Sequence, residues 1–135
     1  MIIGFGIDMV DIGRIEKMMA EHGERFMERC FTAHERDLAE KRRAGGKHIE
    51  AYAKRFAAKE ACAKALGCGI DEGVYLKDIG VVNDENGAPS LALTGGALAR
   101  LEGITPAGMK AKLHISLTDE PPMALAQVII EALHS

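Results

Sequence analysis

Asp8 follows two glycines, Gly4 and Gly6, and Glu60 stands one helical turn before Lys64 in an alanine-rich stretch. Two carboxylates from separate elements, with room left for water and phosphate oxygens, suit Mg²⁺, which prefers oxygen ligands and keeps several waters. A lysine beside them would neutralise phosphate charge. The cations of Lys41, Arg42, Arg43, Lys47 and His48 add a basic connection that suits phosphate groups. By themselves these residues reach as far as Mg²⁺-dependent phosphate chemistry. Each also has an ordinary alternative. Glu60 and Lys64 form a surface i,i+4 pair worth about 0.3 kcal/mol, Asp8 caps the following helix, and 41–48 is a solubilising loop.

The elements that must hold these groups can be read from the same sequence. Ala, Lys and Glu without Gly or Pro predict a helix over roughly Lys47 to Leu66, with Gly67 as a left-handed C-cap. Ala53, Ala57, Ala58, Ala61, Ala63 and Ala65 leave little bulk around its axis, so it can be approached closely. Residues 2–12 predict a strand with Ile3, Phe5, Ile7 and Met9 on one face and Ile2, Gly4, Gly6, Asp8 and Val10 on the other. Strand glycines often mark the approach of a ligand or another backbone. A dinucleotide fingerprint is excluded, because no third glycine stands at the required position.

Residues 14–43 have a helical pattern in two or three segments, broken at Gly23, and Thr32 to Glu35 fits a capping box. After Gly69 a loop leads to an antiparallel pair, 76–82 and 89–93, joined by a turn at 84–87. A short helix over 96–102 follows, then strands over 110–117 and 123–133. In the first of these Ala111, Leu113, Ile115 and Leu117 point inward, and Lys112, His114 and Ser116 share the opposite face. Periodicity alone makes His114 a half-buried polar residue. The expectation is an α+β fold, with an N-terminal strand, several helices and then a mostly antiparallel sheet, in one domain over 1–135.

A net charge of -3 excludes a generally basic nucleic-acid binder. Three cysteines with no CxxC pair fit reduced thiols in the cytoplasm. The apolar run Ile2 to Ile7 is broken by Asp8, which supports neither a signal peptide nor a membrane span.

Two longer motifs carry a resemblance. Gly6-Ile-Asp-Met-Val-Asp-Ile-Gly-Arg-Ile15 and Arg55-Phe-Ala-Ala-Lys-Glu-Ala61, with Lys64-Ala65, resemble the signatures of the holo-[acyl-carrier-protein] synthase family, the small bacterial 4'-phosphopantetheinyl transferases. The resemblance extends to chain length, segment order and the His114-Ile-Ser-Leu-Thr118 strand. It implies transfer of the 4'-phosphopantetheine arm of coenzyme A to a serine of apo-acyl carrier protein, in fatty acid biosynthesis, with release of adenosine 3',5'-bisphosphate. Asp8 and Glu60 are implied as Mg²⁺ ligands and Lys64 as the phosphate-neutralising group; the serine proton needs an acceptor, for which Glu60, directly or through a metal-bound water, is the candidate. Arg55, Lys64 and His114 are implied around coenzyme A, and Arg14 with Arg25 on the face that docks the carrier protein. The family also implies a homotrimer with active sites between subunits. Many relatives carry a histidine where this chain has Asp119. Two other classes compete: a non-catalytic binding module needing no Mg²⁺, and a pyrophosphate hydrolase needing no carrier protein.

Overall fold

Gly4 and Gly6 decide how the molecule is assembled. In the computed structural model, which describes residues 1–70 and 73–135, they lie on β1 (Ile2–Asp11), against α3 (His48–Ala65). A Cβ on Gly6 would come within 1.9 Å of the Ala61 carbonyl oxygen, and one on Gly4 within 2.2 Å of that of Ala65. The strand glycines therefore admit another backbone, one of the two readings their sequence left open. The alanines do the same from the helix side: Ala53, Ala57, Ala58, Ala61, Ala63 and Ala65 are all buried. A helix packed on several sides needs no polar stripe, which is why α3 carries no clear amphipathic pattern.

The helix starts and ends close to the expected positions. Its C-terminus closes with Gly67 at φ 75°, Gly67 N–H donating to the Lys64 carbonyl and Cys68 N–H to that of Ala63. This paired pattern satisfies carbonyls that the last turn leaves open.

Before it, α1 (Ile12–Cys30) is capped by Asp11, whose carboxylate accepts the Gly13 N–H at 2.8 Å. Asp8 is therefore not the cap of this helix. Gly23 breaks α1 with φ 51° and ψ -129°. The box opening α2 (Ala33–Glu40) is complete: Thr32 N–H donates to Glu35, and Glu35 N–H donates to the Thr32 hydroxyl.

The strands divide into two antiparallel sheets, where one was expected. One has the order β1-β5-β4, with β4 at Met109–Glu120 and β5 at Met123–His134. The other pairs β2 (Ile79–Asn83) with β3 (Pro89–Leu93). The strand expected from Leu76 begins only at Ile79, because Leu76–Asp78 is a 3-10 turn whose Leu76 carbonyl accepts a bond from Lys59. The turn at 84–87 is held by the Asp84 carboxylate, which accepts the N–H groups of Asn86 and Ala88. The short helix, α4, spans Gly95–Ile104. The loop expected after Gly69 includes residues 71 and 72, which lie outside the described residues.

Register fixes the two faces of the three-stranded sheet. Asp8 stands opposite Ala126, which stands opposite Leu117; three residues along, and so on the other face, Phe5 faces Ile129 and Ile129 faces His114. Ala124, Ala126, Val128, Ile130 and Ala132 are buried on the side of Asp8, toward α3. The apolar side chains of β1 point the other way, with Phe5 52%, Ile7 46% and Met9 60% exposed.

Candidate active site

β1 delivers Asp8 to the buried side of the sheet, beyond the two glycines that let α3 come close. From α3 the Lys64 ammonium reaches back, donating at 3.0 Å to the Asp8 carboxylate and at 3.0 Å to the Ile7 carbonyl. The Asp8 side chain is 18% exposed and that of Lys64 55%, so the pair sits at the edge of the packed layer, open to solvent. Glu60 is one turn earlier on the same helix and half-buried. The structure thus joins Asp8 to Lys64 directly, and carries Glu60 on the same helix.

The donor set can be tested against Mg²⁺. Among the described residues no group of three or more His, Cys, Asp or Glu side chains gathers to hold a metal. A closed protein cage of the zinc type is therefore not built. Two oxygen donors, Asp8 at the solvent edge of the sheet and half-buried Glu60 on α3, fit an ion that would take the rest of its shell from phosphate and water.

Other expected residues lie further off. Arg55 is nine residues before Lys64, which at about 100° per residue puts it on the opposite side of α3. Its guanidinium donates to the Ala51 carbonyl at 3.0 Å, its Nε is buried without a partner among the described residues, and burial pushes its pKa down. His114 is on the outer face of the sheet, 3.0 Å from the Glu131 carboxylate. Asp8 and His114 therefore belong to opposite faces of the same sheet and do not meet within one chain. Asp119, at the inner end of β4, pairs with Lys54 at 2.9 Å.

A cavity of about 590 Å³ opens between α1, α3 and the turn at 76–78. Met18, Phe26, Phe56 and Leu76 give it an apolar floor, and His22, Arg25 and Arg29 a basic rim. Arg25 belongs to this rim; Arg14, exposed in the first turn of α1, is not part of the wall. Sequence reasoning had singled out only Arg25 of the group. The cavity closes only when Phe56 from α3 and Leu76 from the 3-10 turn face α1, a tertiary arrangement that helical spacing alone does not show.

The sequence motif that was missed is a buried ion pair. Lys59 and Glu35 are 2.7 Å apart with both side chains fully enclosed. Local spacing makes Glu35 the second half of a capping box and Lys59 a helix former within the Arg55–Ala61 motif, and neither signal pairs the two.

The α+β fold goes with a transferase class: the family model of the 4'-phosphopantetheinyl transferase superfamily matches residues 4–117. Holo-[acyl-carrier-protein] synthase of Mesorhizobium japonicum is 58% identical over 98% of this chain and 95% of its own, and that of Beijerinckia indica is 58% identical over 100% and 94%. Among solved structures, the holo-[acyl-carrier-protein] synthase of Neisseria meningitidis superposes with a TM-score of 0.81 at 35% identity, covering 97% of this chain and 99% of that one. The Bacillus anthracis synthase, solved in complex with CoA (3',5'-ADP), gives 0.76 at 37% identity, covering 98% of each. The chain belongs to the holo-[acyl-carrier-protein] synthase family and is an enzyme, a phosphopantetheinyl transferase. The non-catalytic binding module is set aside by this membership.

Proposed function

We propose that this enzyme transfers the 4'-phosphopantetheine group of coenzyme A to a serine of apo-acyl carrier protein, in the cytoplasm, as a step of fatty acid biosynthesis. The observation that carries the reading is the Asp8–Lys64 contact on the inner face of β1, against the helix that bears Glu60. The serine oxygen forms a bond to the pantetheine-side phosphorus of coenzyme A. The bond from that phosphorus to the bridging oxygen breaks, and adenosine 3',5'-bisphosphate leaves. Such transfers are accelerated mainly by positioning and by neutralising charge on the phosphate oxygens. Lys64 supplies a positive charge beside Asp8, and Glu60, directly or through a water, accepts the serine proton. Asp8 and Glu60 would hold Mg²⁺, which when bound lowers the charge on the pyrophosphate.

The basic rim and apolar floor of the 590 Å³ cavity suit an acidic helix with a few apolar side chains, which assigns carrier-protein docking to Arg25, with Arg14 further along α1. The exposed apolar face of β1 supports a homotrimer, because a neighbouring subunit would bury Phe5, Ile7 and Met9. His114 lies on that same outer face, so its contact with coenzyme A would be made in a neighbour's site. Arg55, on the far side of α3, would meet a more distant part of the same extended substrate.

Intact-mass measurement of apo-acyl carrier protein tests the reaction, after incubation with the enzyme, coenzyme A and Mg²⁺, with an EDTA control. The expected result is a gain of one phosphopantetheine that EDTA abolishes. Release of adenosine 3',5'-bisphosphate without any carrier protein would instead identify a pyrophosphate hydrolase.

A further inference from the structure

The Lys59 ammonium is fully enclosed, and three acceptors surround it: Glu35 Oε1 at 2.7 Å, the Leu76 carbonyl at 3.1 Å and the Ile79 carbonyl at 2.6 Å. Glu35 is equally committed, accepting Thr32 N–H at 2.8 Å through Oε1 and Val81 N–H at 2.8 Å through Oε2. One ion pair therefore joins the start of α2, the middle of α3, the 3-10 turn and β2.

Stability alone is a weak reason for this arrangement. Desolvating two charges offsets most of their attraction, and well-packed apolar replacements of buried pairs are often neutral or stabilising. What apolar side chains cannot reproduce is direction. Lys59 holds the Leu76 and Ile79 carbonyls, and through them the segment in which Tyr75 and Leu76 form one wall of the cavity facing α1. Phe56, on the floor of that cavity, lies one turn before Lys59 on the same helix.

We propose that Lys59, locked by Glu35, is a positioning residue for carrier-protein recognition. It sets the distance of the Tyr75–Leu76 wall from α1 and so the width of the docking cavity. The ammonium touches neither substrate. This inference rests on the reading of the cavity as the carrier-protein dock.

Removing Lys59 alone would strand the Glu35 carboxylate in the core, and that variant can fail to fold. The informative variant is the charge-free pair Lys59→Met with Glu35→Gln, checked by thermal melt and by oligomer mass. In the folded double variant the KM for apo-acyl carrier protein is expected to rise at least tenfold, with kcat within threefold of the parent and the KM for coenzyme A unchanged. Parental kinetics at reduced melting temperature would reduce the pair to a purely structural role and overturn the proposal. A fall in kcat with an unchanged carrier-protein KM would also overturn it, by moving the effect to the Glu60 side. Phe26→Ala in the parent enzyme separates the premise from the inference. If it leaves the carrier-protein KM unchanged, the docking reading itself fails.

Discussion

Asp8 and Lys64 form an ion pair too exposed to matter greatly for stability, since such pairs contribute about 0–1 kcal/mol. Lys64→Ala is accordingly expected to shift the unfolding free energy by less than about 1 kcal/mol. Transfer should meanwhile fall by about 10²–10³-fold, as when one charge-stabilising group is removed from an active site. Steady-state kinetics beside a urea melt checks both halves. The motif around Glu60 was legible because residue types at helical spacing are visible in sequence, and Lys64 needed only the fold to bring it to Asp8. Away from the site, Arg43 and then Tyr52 donate to the Glu40 carboxylate and hold its pKa down at about 2, against an ordinary value of 4.5. A lowered carboxylate stabilises the folded state above the ordinary value, and that contribution is lost as pH falls from about 4.5 toward 2. Melting temperatures of the parent and Glu40→Gln should therefore differ at neutral pH and converge near pH 2; partial exposure keeps the difference small. Burial pushes the thiols of Cys30 to about 11 and Cys62 to about 12. At pH 8 a thiol reagent should titrate one cysteine, Cys68, in the native protein and all three after unfolding.

At the scale of elements, the contact of β1 with α3 leaves no space for a side chain at Gly6. Gly6→Ala is expected to cost about 3 kcal/mol, because the obstructing atom is the Ala61 backbone oxygen and the strand or helix must move. The midpoint of urea unfolding measures it. Gly23→Ala meets no neighbour within 4 Å, yet its positive φ alone should cost about 1–2 kcal/mol. The capping box, the Gly67 terminus and the 84–87 turn were all legible, since each is a local hydrogen-bond pattern written in adjacent residues. The start of β2 was not. Leu76 to Asp78 run directly into the apolar stretch Ile79 to Val82, but Lys59, distant in sequence, draws the Leu76 and Ile79 carbonyls inward and sets a 3-10 turn there.

At the scale of the whole molecule, one sheet face lies on α3 and the other presents apolar side chains and His114 to the outside. Light scattering should give the mass of a trimer, and Ile7→Asp should break it, because a carboxylate buried in an apolar contact has no partner there. The proposed sharing of sites between subunits also predicts complementation. Co-expressed Asp8→Asn and His114→Ala chains, each inactive alone, should regain about a quarter of the parental activity through mixed trimers. No recovery would remove His114 from the neighbouring subunit's site. Among the described residues no helix is long and apolar enough to cross a membrane.

Sequence by itself determined the helices, the Thr32 capping box, the Gly67 terminus, the strand alternation and the family, because these depend on spacings of a few residues and on contiguous motifs. It also marked β1 as having an apolar face and a bare one, Gly4 and Gly6 beside Asp8. Only the tertiary structure decided that the bare face is the buried one, since what fills it is the backbone of a helix some fifty residues away. The same holds for the opposite faces of Asp8 and His114, and for the Lys59–Glu35 pair. Sheet register and the choice of a buried charge's partner depend on which distant surfaces meet, and short-range periodicity carries no record of that.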